Sequence, residues 1–323
     1  MDRNVIQTGK SAFSIEGKFQ SDSATTHTVS IEYPNTRQRK NILLDYAPIT
    51  ASAELIGRFP LVTLSPKHHS IVTGSAAERR SFIDMIISQA KHSYLIDLIE
   101  YKRIVKHRNA LLTNEAFSSQ KIFEMLEPWN QAFAKLSVRI IRKRREFLVD
   151  FSPHCSRLFS GIVGEKEIPS IAYQSDFPFD NAMDEETLSN DFLQHLIQLF
   201  PQEIRRAKTL LGPHRDDLQI MINGRDVRQQ ASQGQIKSIV VALKIAEYYY
   251  LEQQLDEKPI ILLDDVFSEL DTHRLKGVLR LIEQLGQTFI TSVNEHAAAL
   301  FPTLNGARAA FHLEAGAVIA NLT

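Results

Sequence analysis

The sequence has 323 residues, of which 43% are hydrophobic and 23% charged, and its formal net charge is −1. These values are typical of a folded globular protein, and no apolar run approaches the roughly 20 residues of a membrane-spanning helix. The amino terminus lacks the basic-then-apolar layout of a signal peptide, and the single cysteine, Cys155, excludes an internal disulfide. We therefore expect a cytoplasmic protein without membrane attachment.

Near the amino terminus, Gly9-Lys10-Ser11 matches the last three residues of a phosphate-binding P-loop. A complete P-loop has the form G-x-x-x-x-G-K-[ST] and lies between a strand and a helix. Position 4 is Asn rather than Gly, and the residues that follow Ser11, AFSIEGKF, alternate as a strand does. We interpret the triplet as a chance match.

Residues 12 to about 64 predict an antiparallel sheet. FSIEGKF and TVSIEY alternate between apolar and polar residues, and NILLDY is a third short apolar run. The stretch RFPLVTLSP adds a further strand that ends at Pro66.

The pattern becomes helical after Gly74. Ser75-Ala76-Ala77-Glu78 forms a capping box, and helical periodicity then continues to about residue 160. One helix face carries Trp129, Phe133, Leu136 and Ile140.

Residues 165–190 are acidic and predict a loop with one short strand at SIAYQ. We predict two parts: a sheet domain from residues 1–74 and 200–323, and an inserted helical lobe over residues 75–199.

After residue 205 the chain alternates strands and helices. DLQIMINGR ends in a hairpin turn signal, Asn223-Gly224. A helix is predicted from about 233 to 254, then the strand PIILLDD, a helix from about 272 to 285 and the strand QTFITSV. Continuous apolar strands separated by a helix indicate a parallel sheet buried on both faces.

Two carboxylates, Asp264 and Asp265, end the strand PIILLDD, at the sheet edge where ligands of α/β proteins bind. In ATPases of this architecture the first acid helps to hold magnesium and the second can orient the attacking water. Two solvated aspartates at a strand end are an equally good interpretation of this pair alone.

About thirty residues upstream, SQGQIK predicts a helix start suited to an anion. Ser232 is a good N-cap with Gln235 in the capping-box position, and Gly234 leaves the first-turn amides open to a ligand. Downstream, Asp271 can cap the following helix. An ordinary capped helix fits the local residues equally well, but it does not explain the order of these motifs.

Together, SQGQ and ILLDDVFSELD resemble the signature motif, Walker B strand and D-loop of ABC-type ATPases of the SMC-like group. More narrowly, the chain is similar to the RecF family of bacterial DNA replication and repair proteins. Three further stretches carry this resemblance: LLGPHRDDLQIMING at 210–224, SPKHHSIVTGSAAERRSFID at 65–84 and YKRIVKHRNALL at 101–112. The resemblance implies an α/β P-loop NTPase fold of the ABC/SMC-head kind with an inserted helical lobe.

The sequence departs from the family pattern at several positions. Lys67 and His68 stand where the family usually has acidic residues, and Ala76 where it usually has proline. The stretch DRNVIQTGKSAFSIEGKF aligns with the sheet that follows the family's P-loop. We therefore expect an amino-terminally incomplete fold, lacking a P-loop strand that would lie beside the Asp264 strand.

The resemblance also implies ATP and Mg²⁺ as cofactors and a homodimer that closes around ATP. Asp264 would then be the magnesium ligand, and Asp265 the catalytic, water-orienting acid. Across the dimer interface, the residues implied to contact nucleotide are Ser232, Gln233, Gly234 and Gln235, with Asp271 as the D-loop residue.

A basic stretch, RIIRKRR, predicts contact with DNA phosphates, without recognition of sequence. Its cations are Arg139, Arg142, Lys143, Arg144 and Arg145. A solvated helix face is the alternative for any such cluster. The resemblance implies binding to single- and double-stranded DNA at gaps, and to other recombination mediator proteins.

Three functions compete. The first is an ATP-dependent DNA-binding protein of replication and recombinational repair. The second is a catalytically silent DNA- and protein-binding module. This alternative exists because the sequence contains no complete P-loop, so the sequence does not decide whether the chain hydrolyses ATP. The third is another SMC-like ATPase.

Overall fold

The computed structural model of the protein describes residues 6–34, 40–265, 272–292, 309–314 and 316–321. Its first sheet is antiparallel and consists of β1 (Ala12–Gln20), β2 (Thr26–Pro34), β3 (Asn41–Leu44) and β4 (Ala47–Pro48), in that order. Val29, Ile42 and Leu44 are buried on one face of this sheet, where Phe19 and Phe59 pack against them. The antiparallel pairing predicted for this part of the chain is confirmed.

The second sheet is parallel. It contains β5 (Leu61–Leu64), β9 (Ile260–Asp264) and β10 (Thr288–Thr291), in the order β10-β9-β5. The prediction that β5 extends the antiparallel sheet is wrong. A short apolar run shows that a strand forms but does not show which strand it pairs with.

The expected position of a missing strand beside β9 is also wrong. Strand β9 is hydrogen-bonded to β10 on one side and to β5 on the other, so its backbone groups are paired along both edges. Ile261 and Leu263 of β9 are buried, as expected for the central strand of a covered sheet. Strand β10 lies at the edge of this sheet in the part of the chain that the structure describes.

The helical part begins after β5 with a short 3-10 turn, Pro66–His69. The helices that follow are α1 (Ser70–Thr73), α2 (Ala76–Ala90), α3 (His92–Leu112), α4 (Ser119–Val163) and α5 (Glu185–Arg206). Helix α4 has 45 residues and packs against both α3 and α5. Its buried stripe includes Phe133, Leu136 and Ile140, as the periodicity predicts.

A third sheet joins the helices to the rest of the fold. It consists of β6 (Pro169–Gln174), β7 (Asp217–Ile222) and β8 (Arg225–Asp226), with antiparallel pairings. Strand β6 falls inside the predicted lobe, whereas β7 falls outside it. The division into residues 75–199 and the remaining sheet domain therefore stays a prediction, with a shared sheet across its boundary.

The remaining elements are α6 (Val227–Gln230), α7 (Gln233–Leu255), α8 (Thr272–Ile282) and a hairpin of β11 (Phe311–Glu314) and β12 (Ala317–Asn321). Helix α7 is the centre of the fold: it packs against α2, α4 and β5. None of the helices in the described ranges is both long and apolar enough to cross a membrane.

Buried ion pairs tie the helices together. The guanidinium of Arg108 donates to the Glu203 carboxylate at 2.6 Å, and both side chains are 1% exposed. Arg144 donates to both carboxylate oxygens of Asp84, at 2.9 and 3.0 Å. These pairs therefore link α3 to α5 and α2 to α4, and each buried charge lies next to its counter-charge.

Candidate functional site

Strand β9 delivers Asp264 to the carboxyl edge of the parallel sheet, where its side chain is exposed. Thr291 lies opposite Asp264 at the end of β10, and its hydroxyl donates to Asp264 Oδ1 at 2.6 Å. The Asp265 amide donates to the Thr291 carbonyl at 3.1 Å, and Asp265 takes a left-handed backbone conformation with φ of 48°. The chain thus leaves the strand directly after placing two carboxylates at its end.

The turn after β5 lies at the same edge, because Leu64 pairs with Leu263. His68 folds back so that its Nδ1 accepts from the Ser65 amide at 2.9 Å. Burial lowers the pKa of His68, and the nearby Lys244 ammonium lowers it further. His68 is therefore a neutral side chain there, in contrast to the acidic residue usual in the family.

The donor set at this edge suits Mg²⁺ that binds together with phosphate. Carboxylate and hydroxyl oxygens are the ligands that Mg²⁺ prefers, and one or two carboxylates suffice when phosphates complete the shell. Within the described residues no cluster of three or more His, Cys, Asp or Glu side chains could hold a metal by itself. Asp264 therefore fits a site in which phosphate oxygens supply most of the Mg²⁺ ligands, and not a site formed by protein side chains alone.

The start of α7 is exposed and capped. The Gln235 amide donates to Ser232 Oγ at 3.2 Å, and the Ser232 amide donates to Gln235 Oε1 at 2.9 Å. The Gln235 side-chain amide also donates to Glu167 at 3.0 Å. The first-turn amides of a helix have no acceptor within it, so the amides of Gln233 and Gly234 suit an anion at this exposed helix start.

Sequence reasoning missed Arg274, on α8. Its guanidinium lies where a Cβ on Gly234 would be, so a side chain at position 234 would collide with it. Glycine therefore permits a cation to lie against the first turn of α7. Periodicity places Arg274 on a helix but contains no signal of this contact with Gly234, which lies 40 residues earlier, before an intervening strand.

The two halves of the predicted nucleotide site lie on different elements, one at the end of β9 and the other at the start of α7. Lys244 lies near His68, so the middle of α7 is level with the carboxyl edge of the sheet. Ser232 lies twelve residues before Lys244, which is about 18 Å further along the helix at 1.5 Å per residue. The start of α7 is therefore about three helical turns from the level of Lys244.

Gly9-Lys10-Ser11 lies in an exposed turn, closed by a hydrogen bond from the Lys10 amide to the Gln7 carbonyl, and β1 follows it. A strand stands where a P-loop needs a helix, in agreement with a chance match. The predicted D-loop residue, Asp271, lies outside the described residues.

The basic stretch of α4 divides into three kinds of residue. The prediction that Arg144 contacts DNA is corrected: the side chain is 2% exposed and paired with Asp84. Helical phase explains this, since Arg144 lies four residues after the fully buried Ile140 and so shares its face.

The other four cations of the stretch lie at the surface. Arg139 pairs with Glu185 at 2.7 Å and Lys143 pairs with Glu146 at 2.8 Å. Arg142 and Arg145 instead lie over the Phe179 ring, 5.9 and 5.3 Å from its centroid. Their contact with DNA stays a prediction.

No protein-family model matches the sequence. The chain is 35% identical over 297 residues to the DNA replication and repair protein RecF of Chloroherpeton thalassium, covering 90% of this chain and 79% of that protein. It is 36% identical over 295 residues to RecF of Chlorobaculum tepidum, covering 91% of this chain and 79% of that protein.

Solved structures agree with these sequence relatives. The recombination mediator protein RecF of the RecFOR pathway, in its RecF-ATPrS form, superposes with a TM-score of 0.85 at 25% identity, covering all of this chain and 84% of that one. The RecF-ATP form gives a TM-score of 0.84 at 27% identity, covering 98% and 83%. The predicted fold class is confirmed, and the chain belongs to the RecF family of DNA replication and repair proteins.

Proposed function

We propose that this protein is an ATP-dependent DNA-binding protein of replication and recombinational repair, in which two copies close around ATP and Mg²⁺. The observation that carries the proposal is the pair of separated half-sites. A carboxylate edge at β9 and an amide- and guanidinium-bearing start of α7 are complementary in charge. Because Ser232 lies about 18 Å along α7 from Lys244, and Lys244 lies near the turn after β5, we infer that the start of α7 serves a nucleotide held by a second copy.

In this arrangement Asp264 holds Mg²⁺, and the Thr291 hydroxyl keeps the carboxylate in one orientation. Mg²⁺, when bound, neutralises charge on the β- and γ-phosphates. Asp265, the next acid, orients the attacking water. The placement of a carboxylate and a hydroxyl on adjacent parallel strands supports these roles.

The second copy supplies the start of α7. The Ser232 hydroxyl and the amides of Gln233 and Gly234 donate to the γ-phosphate oxygens, and Arg274 adds a cation beside them. Gln235 shapes the cap through its own hydrogen bonds. Asp271 completes the dimer contact in this proposal. ATP binding thus joins the copies, and hydrolysis separates them.

The RecF structures with ATP and the relatives named for DNA replication and repair support ATP and DNA as ligands of this chain. We propose single- and double-stranded DNA at gaps as substrates, with Arg142 and Arg145 on phosphates and Arg139 and Lys143 at the margin. Other recombination mediator proteins are proposed partners. A cytoplasmic location rests on the single cysteine, Cys155, which is buried and unpaired with another cysteine.

A second candidate function is a DNA- and protein-binding module without catalysis. It is favoured by one observation, that the 323 residues contain no complete P-loop motif. In this case α7 and the basic surface of α4 remain, while ATP contributes nothing to association.

Mixing two defective variants tests the composite site. Asp264→Ala removes the carboxylate edge, and Ser232→Arg blocks the start of α7. With ATP and Mg²⁺, light scattering is expected to show dimers of the wild-type chain but monomers of either variant. An equal mixture should regain dimer up to about half of the wild-type level, because half of random pairs contain one intact site.

A chain that carries both substitutions is the control, since no pairing of it restores a site. If the mixture of the two single variants formed no dimer, that result would contradict a nucleotide site shared between two copies. If wild-type protein binds DNA but does not associate with ATP, the second candidate stands. If it binds neither, both fail.

A further inference from the structure

A cavity of about 420 Å³ lies beside the second half of α4. Its walls come from α4, from β6 and from the segment that contains Asn181. The volume is within the range of small-molecule sites, about 300–1,000 Å³. The cavity therefore accepts one small group at a time.

Two guanidiniums at this cavity have no counter-charge. Arg142 and Arg145 both line it, and the Phe179 ring supports both of them. Arg142 also donates to the Met183 carbonyl at 3.0 Å, which fixes its direction. Neither guanidinium has a carboxylate within 4.0 Å anywhere in the described part of the chain.

Among the described residues, the one carboxylate that lines the cavity is already neutralised. Glu146 accepts from the Lys143 ammonium at 2.8 Å. Two ordered cations thus remain in excess at one cavity, and an anion is the ligand that would match them. Guanidinium groups form bidentate hydrogen bonds with phosphate oxygens, so a phosphate group is the anion that best matches Arg142 and Arg145.

The rest of the wall is apolar or neutral. Val149 is 74% exposed, and Ile171 and Tyr173 lie beside it. The Tyr173 hydroxyl donates to Asp216 and accepts from Arg144, so its ring is held in place. Burial raises the pKa of Tyr173, which keeps the hydroxyl protonated.

Hydrogen-bonding groups complete the lining. The Ser152 hydroxyl and the Asn181 amide offer donors and acceptors near the apolar wall. A nucleotide matches these three features of the cavity. Its phosphate pairs with cations, its sugar and base pack against apolar surface, and the edges of its base form hydrogen bonds.

We propose that this cavity binds one unpaired nucleotide of DNA, with its phosphate on Arg142 and Arg145 and its base or sugar against Val149 and Tyr173. The proposal rests on the DNA-binding function proposed above and assigns the unpaired strand of a gap to this cavity. Bases in a duplex are stacked and paired, and extruding one has an energetic cost that an unpaired base does not have.

Anisotropy titrations of two labelled DNAs of equal length, one continuous duplex and one with a single-stranded gap, test this. The wild-type chain is expected to prefer the gapped DNA. Arg142→Ala and Arg145→Ala should each weaken gapped-DNA binding about tenfold. Each should reduce the salt slope by about 0.7, the value for one single-strand phosphate contact. Binding to continuous duplex, which offers no unpaired nucleotide to the cavity, should weaken less than gapped-DNA binding in both variants.

Val149→Glu tests the cavity without removing a cation, and it should produce the same selective loss. Lys135→Ala is the matched control: Lys135 is an exposed cation on the same helix and lies outside the cavity. Its loss should affect both DNAs equally. All four substitutions lie at the surface, and thermal unfolding of each variant checks that the fold is retained.

Equal losses on both DNAs in the arginine variants would overturn the proposal while leaving DNA binding intact. Tighter binding of an oligoglutamate peptide than of gapped DNA, lost in both arginine variants, would assign the cavity to an acidic protein segment and also overturn it. Failure of the wild-type chain to bind either DNA would refute the DNA function and the cavity proposal together.

Discussion

The interior of the helical lobe and the carboxyl edge of the parallel sheet both concentrate charge, but in opposite ways. Inside the lobe, Arg108 and Glu203 are each 1% exposed and paired at 2.6 Å. At the edge, Asp264 is exposed, and its partner is the neutral Thr291 hydroxyl. Matched buried charges hold the fold in one arrangement, whereas an exposed carboxylate at a strand end keeps its charge for a ligand.

The largest expected effect is the loss of the buried ion pair between Arg108 and Glu203. Arg108→Met leaves the Glu203 carboxylate buried without its counter-charge, so we expect the free energy of unfolding to fall by about 3–5 kcal/mol. Urea denaturation measures it. Arg103→Met, on the same helix, is the control: Arg103 is 58% exposed, so losing its solvent-screened pair with Glu100 should lower the free energy of unfolding far less. Equal losses in the two variants would contradict the distinction.

The second prediction concerns protons in the interior. Burial lowers the pKa of His214 to about 4, against about 6.5 in the unfolded chain. Between these values the unfolded state binds a proton that the folded state does not, so acidification destabilises the fold, by up to about 3 kcal/mol at pH 4.

The comparison with His214→Gln isolates this effect, because every other titrating group is shared. The wild-type chain should have the larger free energy of unfolding at pH 7, and its advantage should shrink by about 3 kcal/mol by pH 4. Urea denaturation at several pH values measures both proteins. A constant difference would show that His214 does not titrate in this way.

The smallest expected effect on stability concerns the hydrogen bond between Thr291 and Asp264 at the carboxyl edge of the parallel sheet. Thr291→Val removes the hydroxyl that orients Asp264, so we expect unfolding free energy to change by less than about 0.5 kcal/mol. The Mg²⁺ concentration needed for ATP-dependent dimerisation should instead rise about tenfold, as for other residues that orient a metal ligand.

Thr288→Val is the control for that variant. Thr288 lies on the same strand, and its hydroxyl donates to the Gly286 carbonyl away from the edge. It should leave the Mg²⁺ requirement unchanged. An unchanged requirement in Thr291→Val would mean that Asp264 needs no support from β10.

Local pattern predicted several elements closely. The helix predicted from about 233 to 254 is Gln233–Leu255, because a capping box marks its start and apolar periodicity continues to its end. The strand PIILLDD forms as Ile260–Asp264, with both acids at its carboxyl end. These features depend on neighbours within a few residues, which the sequence contains.

Long-range pairing was predicted less well. Strand β5 pairs with β9, about 200 residues away, and no local pattern distinguishes that partner from β3. Arg144 and Arg145 are adjacent in a basic stretch, yet one is buried on Asp84 and the other lines a cavity. No sequence pattern predicts the contact between Arg274 and Gly234 either.

By itself, the sequence determined the family, the order of the motifs and the residues at the strand end and helix start. Those are consequences of residue type and spacing along the chain. Only the tertiary structure decided which strands flank β9, which cation lies against the start of α7, and which arginines keep their charge exposed. Each of these depends on contacts between segments distant in sequence, where burial and counter-charge determine the role of a side chain.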